Sequence, residues 1–361
     1  MEYKRLGEYI EPVDERNSKL EIKLSQGICN EKYFQDPRQV AENSAADKIV
    51  RRGYFAYNRA TTRNGEKISI AYREGPDCTV SSAYQVFRIK DEEKLNPKYL
   101  LMWYKRPDFD KYARFKSHGS AHEFFEYEEM CNVRIPLPSI ERQREIVLEY
   151  ETLTNRIRLN NQMIQHLEAT AQALYRKPFV DNIGKENLPE GWRMGTLSGL
   201  AVLKAGGDKP MDFSEIKTET YNVPVYANGI ENKGIFGYTT RPVIKAISIT
   251  ISARGTIGYC FLRKEPYVPI VRLVVVAPHD EVMAQYLFYY LNASNIKGSG
   301  SVQSQLTVPD LEGREIKIPP KQMIQEFSDK VEIIDNSISL CEVENEILTE
   351  LQSLLLAKMG Q

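Results

Sequence analysis

From Ile146, apolar residues recur in unbroken steps of four and three through Tyr150, Leu153, Ile157, then Asn160, then Ile164, Leu167, Ala171 and Leu174. This is a heptad seam held over about four heptads, the mark of a helix that packs along another helix. The polar residue in the seam, Asn160, costs stability but fixes register and partner. A second seam runs Phe327, Val331, Ile334, Ile338 and Cys341, then shifts by about one residue to Ile347, Leu351 and Leu354. At 1.5 Å per residue the first seam spans roughly 42 Å.

Ahead of each helix the pattern changes to short β-type runs punctuated by turns. Strands are expected at 53–58, 68–73 and 80–89, and again at 223–227, 246–253, 258–263 and 272–277, with Asn64-Gly65, Asn228-Gly229 and Arg254-Gly255 as turns. A helical segment rich in Tyr and Leu follows the last strand in both halves, at 97–111 and 282–292. Gly119 and Gly300, Pro138 and Pro319, and Ile146 and Phe327 are all separated by the same 181 residues. Solenoids repeat every 20 to 50 residues or so, which makes this a domain duplication. The expected fold class is mixed α/β: two similar globular domains at 1–134 and 181–315, alternating with long spacer helices at 135–180 and 316–361. The helices would pair as an antiparallel coiled coil about a pseudo-two-fold axis.

Charge sharpens this picture. The chain of 361 residues carries a net charge of only -1, which at first argues against a polyanionic partner. Yet residues 48–73 hold seven cations against Glu66 alone, residues 233–272 hold seven against Glu265 alone, and the last helix is acidic. A basic region in each copy points to phosphate. Hydrophobic residues make up 42%, and the longest apolar run is far too short to span a bilayer, so a cytoplasmic protein without membrane contact is expected. Five scattered cysteines with no CxxC spacing read as free thiols, and His118 and His122 flank a Gly-Ser loop rather than sharing a helix, so no metal site is expected.

Base reading needs side chains that fork to base edges, such as Arg to guanine and Asn or Gln to adenine. Candidates in the first copy are Asn58, Arg59, Arg63, Asn64 and Lys67 at a strand end and turn, with Lys116, Ser117 and Ser120 in a Gly-Ser loop. Those in the second are Asn228, Arg254 and Thr256, with Ser299, Ser301, Gln303 and Gln305 in the matching loop. The residues of both Gly-Ser loops are assigned to DNA contact or to loop order, since such loops bring backbone N–H groups close to phosphate. The Arg254-Gly255 pair can equally form a plain hairpin turn. Catalytic signatures are missing: there is no GxxxxGK[ST] loop, no Asn/Asp-Pro-Pro-Tyr and no Gly-rich cofactor loop. Glu215-Ile216-Lys217 near Asp208 and Asp212 is a weak nuclease pattern, because Glu-Ile-Lys also occurs at Glu21 and Glu315. Gly206-Gly207-Asp208 reads as a turn.

Taken in order, the chain resembles the specificity subunit of type I restriction-modification enzymes along essentially its whole length. The resemblance rests on Leu188-Pro189-Glu190-Gly191-Trp192, on Ile251 to Gly258, and on Gly298 to Gln303 leading into Ile318-Pro319-Pro320. In the first half it rests on Tyr57-Asn58-Arg59-Ala60, Phe115 to Ser120, and Ile135-Pro136-Leu137-Pro138 with Glu141 and Gln143. It implies a non-catalytic subunit whose two target-recognition domains each read half of a bipartite double-stranded DNA site. The helices would set the spacing and dock two modification (methyltransferase) subunits, and restriction motor-nuclease subunits would complete the assembly. S-adenosylmethionine, ATP and Mg are expected on partner subunits only. Two features depart from the family: Met1 lies where the first Pro-Glu-Gly-Trp would be, and Met323-Ile324 replaces the usual Glu-Gln pair. A free-standing DNA-modifying enzyme and a coiled-coil adaptor without a DNA role are the alternatives.

Overall fold

The computed structural model describes residues 2–37, 44–60, 67–117, 123–294, 296 and 305–360. The chain forms two compact units, one of residues 1–161 and 342–361, the other of residues 162–341. Each unit therefore holds one globular half and one stretch of each long helix, Ile140–Phe179 and Lys321–Lys358.

The duplication seen in the spacing is a duplication of topology. In the first unit a four-stranded antiparallel sheet runs in the order Ile10–Val13, Tyr84–Ile89, Phe55–Asn58, Ile70–Tyr72. In the second the order is Ala201–Ala205, Val274–Pro278, Ser248–Ile251, Cys260–Arg263, with the same pairing. Each unit also pairs its opening strand with the strand just before its long helix. Tyr3–Arg5 lies antiparallel to Arg134–Pro136, and Arg193–Thr196 lies antiparallel to Glu315–Ile318. A single 3-10 turn follows each opening strand and buries one leucine completely, Leu6 or Leu197. A tyrosine from the helix after the sheet then donates to a backbone carbonyl beside the exit: Tyr99 to Pro136, and Tyr286 to Lys317.

The expected run at 80–89 is two strands, Cys78–Val80 and Tyr84–Ile89, split by a turn in which the Tyr84 N–H donates to the Ser81 carbonyl. The expected helix at 97–111 also breaks, into Pro97–Tyr104 and Pro107–Phe115, because proline cannot continue a preceding helix. Asn96 caps the first of these by accepting from the Lys98 and Tyr99 N–H groups.

Both cores depend on the long helices. Ile146, Val147 and Met359 are buried with Phe55, Phe87 and Tyr104 in the first. Tyr175, Phe179, Phe327 and Val331 are buried with Tyr286 and Leu287 in the second, where Phe179 meets Phe327 edge-on at 5.2 Å. Gln143 is fully buried, donating to the carbonyls of Lys94 and Pro138 and accepting from the Asn96 N–H. Its counterpart 181 residues later, Ile324, is buried among apolar side chains instead. At this departure from the family pattern a hydrogen-bonded staple is exchanged for hydrophobic packing.

Along the first helix Ile146, Asn160 and Ala171 are buried, while Tyr150, Leu153, Ile157, Ile164, Leu167 and Leu174 are half-buried. On the second, Phe327 and Val331 are buried, and Ile334 and Ile338 half-buried. The expected shift after Cys341 does not occur. Covered positions continue in strict steps through Asn345, Leu348, Gln352, Leu355 and Met359, whereas Ile347, Leu351 and Leu354 are about half exposed. The two polar seam residues hid the continuation. In the first unit the helices run antiparallel, Arg156 gripping Glu344 with two hydrogen bonds of 2.8 and 3.0 Å. The Asn160 amide donates to Glu344 and, at 3.1 Å, to Asn345, whose own amide donates to Asn161. Among the described residues no helix is long and apolar enough to cross a membrane.

Replacing Asn160 and Asn345 together by Leu is expected to raise the thermal midpoint and to give mixed registers or oligomers, seen by melting and sedimentation. A single uniform species at the higher midpoint would show that these amides do not set register.

Candidate nucleic-acid interface

In the first unit four of the seven basic residues that stand together in sequence, Lys48, Arg51, Arg59 and Lys67, are paired with acids from elsewhere in the chain. Lys48 meets Asp14 at 3.2 Å, Arg51 bridges Glu15 and Asp77, and Lys67 reaches Glu31 at 2.8 Å. Arg73 is buried, donating to the Pro76 carbonyl with its guanidinium over the Phe34 ring. Arg59 donates to the Ala83 carbonyl and to Glu126, and lies 5.7 Å from the Phe124 ring centre. Arg52 remains exposed, its guanidinium without a hydrogen bond or ion pair among the described residues.

The other first-unit candidates divide by what already holds them. Asn58 accepts from the Ala60 N–H, fixing the strand end. Lys116 sits 3.7 Å from Glu129, and the buried Ser117 hydroxyl donates back to the Ala113 carbonyl of its own helix. Arg63, Asn64 and Ser120 lie outside the described residues. The segment resuming at Lys67 is pinned by a pair that sequence reading missed. The buried Lys32 ammonium lies 2.6 Å from Asp110 and donates to the Ile68 carbonyl, while Asp110 also accepts from the Ile68 N–H. Burial lowers the Lys32 pKa, and the facing Asp110 carboxylate opposes the shift.

In the second unit Arg263 is a core residue. It is buried, stacks 3.6 Å from the Tyr226 ring centre, and donates to the Thr250 hydroxyl and the Lys233 carbonyl. Lys264 pairs with Asp335 at 3.2 Å. Arg241, Lys245 and Arg272 are exposed without a hydrogen bond or ion pair from the side chain among the described residues. Arg254 and Thr256 are exposed in the loop between strands Ser248–Ile251 and Cys260–Arg263, and Arg254 donates to Gln305 at 3.1 Å. Asn228 spends its amide on backbone, accepting from the Ala253 N–H at 2.7 Å and donating to the Val271 carbonyl at 2.8 Å. It therefore orders the loops on either side rather than offering a free fork. Ser299, Ser301 and Gln303 lie outside the described residues.

The remaining chemistry is structural. The Gly206-Gly207-Asp208 segment is not the expected turn: Gly207 bridges Ile270 in parallel, and the Gly206 and Gly207 N–H groups are spent on the carbonyls of Leu273 and Pro269. Asp212 accepts from Thr240, and Glu215 and Lys217 are exposed. Burial pushes the Cys78 thiol up to about 11 and Cys260 up to about 12, so neither is a nucleophile at neutral pH. His118 and His122 are outside the described residues, and among those described no cluster of three or more His, Cys, Asp or Glu could hold a metal.

Comparison with known proteins accounts for both units. The profile of the type I restriction modification DNA specificity domain matches residues 45–169 and again residues 189–353. A Mycoplasma pneumoniae protein named as a type I specificity subunit is 28% identical over 281 residues, covering 74% of this chain and 81% of that protein. A second protein so named from the same organism is 33% identical over 145 residues, 40% of each chain. The crystal structure of a type I restriction-modification S subunit from M. genitalium matches in fold with a TM-score of 0.62 at 14% identity, covering 99% of this chain and 95% of that one. The chain belongs to the type I restriction modification DNA specificity family, with one copy of the family domain on each half of its repeat.

Proposed function

We propose that each unit reads one half of a split double-stranded DNA site and that the paired helices fix the interval between the halves. Membership of the family makes the chain the non-catalytic specificity subunit of its system, with two target-recognition domains. The observation that carries the finer reading is one sheet topology built twice on shared helices. Two related readers suit two unlike half-sites. Cations without an ion pair among the described residues, Arg52 in one unit and Arg241, Lys245 and Arg272 in the other, supply contacts to phosphate or bases.

Two modification (methyltransferase) subunits dock on the helices, and motor-nuclease subunits join them in the restriction complex. Val343, Ile347, Leu351 and Leu354 form an exposed apolar stripe on the second helix, suited to burial against a partner. In the second unit an apolar cavity of about 600 Å³ lies between the helices, lined by Ala173, Leu174, Phe179, Met323 and Phe327. S-adenosylmethionine, ATP and Mg belong to the partner subunits, and the assembly works in the cytoplasm on cellular DNA.

Adding one heptad to both helices, after Asn161 and after Cys341, extends the pair by roughly 10 Å. The assembled complex is then expected to prefer a site whose halves lie about three base pairs further apart, DNA rising about 3.4 Å per pair. An unchanged spacing preference in a selection from random DNA would remove the spacer role. Arg254→Ala is expected to cost about 1 to 3 kcal/mol of binding at one half-site and leave the other intact. Arg263→Ala, by contrast, is expected to cost about 3 kcal/mol of folding stability, through lost charged hydrogen bonds and ring stacking, measured by denaturant unfolding.

A further inference from the structure

Between the strands Val268–Pro269 and Val274–Pro278 the chain makes a turn that its side chains should resist. Val271 has φ +52° and Arg272 φ +64°, two left-handed residues in succession with no glycine. Val271 is the one β-branched residue with such a φ among the described residues. This is an outlier for a residue branched at Cβ, and strain of this kind is kept where the surroundings enforce it.

The enforcement is visible. Ile270 and Leu273 on either side are buried, which forces the two residues between them outward, Val271 to 47% exposure. The Val271 N–H donates to the Gly207 carbonyl at 2.9 Å, and its carbonyl accepts from the Asn228 amide at 2.8 Å. The other end of that amide accepts from the Ala253 N–H, one residue before Arg254. One side chain thus ties the Arg254 loop to the Val271–Arg272 turn. Neither guanidinium pairs with a carboxylate among the described residues.

We propose that the Val271–Arg272 turn is a base-reading element of the second unit: Arg272 forks to a guanine edge, Val271 makes an apolar contact with a neighbouring base, and Asn228 is the positioning residue. The inference rests on the DNA-reading function above. Rigidity favours a base over phosphate. A phosphate contact needs only a flexible point charge, whereas the two acceptors of guanine demand a planar fork, and the fixed backbone of this turn sets the direction from which the Arg272 side chain departs. An exposed valine held by strain next to that fork has no role at a phosphate. Glycine at either position would make the turn without strain, so Val and Arg here trade backbone ease for side chains.

The test uses the chain assembled with its modification subunits, bound to DNA libraries randomised at both half-sites over a range of salt concentrations. Arg272→Gly and Arg272→Lys are expected to lose roughly ten-fold discrimination at one position of one half-site, the scale of a single forked contact, with the other half-site unchanged. Val271→Gly is expected to blunt discrimination at the adjacent position. Both glycine variants should melt no lower than the parent chain, since they release strain, which separates a reading role from a purely structural one. Unchanged discrimination in Arg272→Gly would overturn the proposal. So would uniform weakening with a salt slope shallower by about one and rescued by Arg272→Lys, which would make Arg272 a phosphate anchor. If the parent complex itself prefers no split site, the DNA-reading function fails, and the turn with it.

Discussion

Each globular unit is completed by apolar side chains from both long helices, and everything else in the architecture depends on that burial. Ile146 and Val147 from one helix and Met359 from the other close the first core. Tyr175 and Phe179 from one and Ile324, Phe327 and Val331 from the other close the second. Removing a fully buried Phe or Tyr from such a place costs about 3 to 5 kcal/mol, comparable to a large part of the whole stability of a domain. Neither helix can therefore detach as a free rod without opening a core. The compact units consequently divide both helices between them and do not follow the line between globular part and spacer.

A helix that must serve as core at one end and as partner at the other needs its register set, and polar residues do this where the cores do not reach. Asn160 and Asn345 meet in the first unit, with Arg156 holding Glu344 beside them. The Arg156 guanidinium, with the Asn160 amide behind it, lowers the pKa of the Glu344 carboxyl. A slip of one seam position would separate these groups, and a buried amide without a partner is costly. The acidity of the last helix serves the fold in the same way, since Asp335 accepts both Lys264 and the Gln285 amide.

The repeat, the first seam and most central strands were legible because their signals are local and periodic. The end of the second seam was not, because Asn345 and Gln352 occupy covered positions while Ile347, Leu351 and Leu354 face outward. Hydrophobicity alone followed the wrong face of that helix. The opening strand Tyr3–Arg5 was missed for a different reason: three residues have no readable period, and its partner lies over a hundred residues away at Arg134–Pro136. Counting charge failed at the interface for the same non-local reason. Arg59 looks free beside Asn58 and Ala60, but its acid is Glu126, and the acid for Lys67 is Glu31.

This is also why the strongest reading candidate in the second unit did not stand out from sequence. Arg272 belongs to an ordinary basic stretch and opens the strand expected at 272–277, and Val271 is an ordinary apolar residue just before it. Only the backbone separates them from their surroundings, by turning both residues out between two buried ones. Asn228, which did stand out, works one step back from the surface by giving both ends of its amide to the chain. A side chain that can read a base must be rigidly held yet unspent, and the residues that hold it have already used their own hydrogen bonds. Sequence composition ranks the two kinds alike, because both are Asn and Arg in turns; only the geometry of their partners tells reader from support.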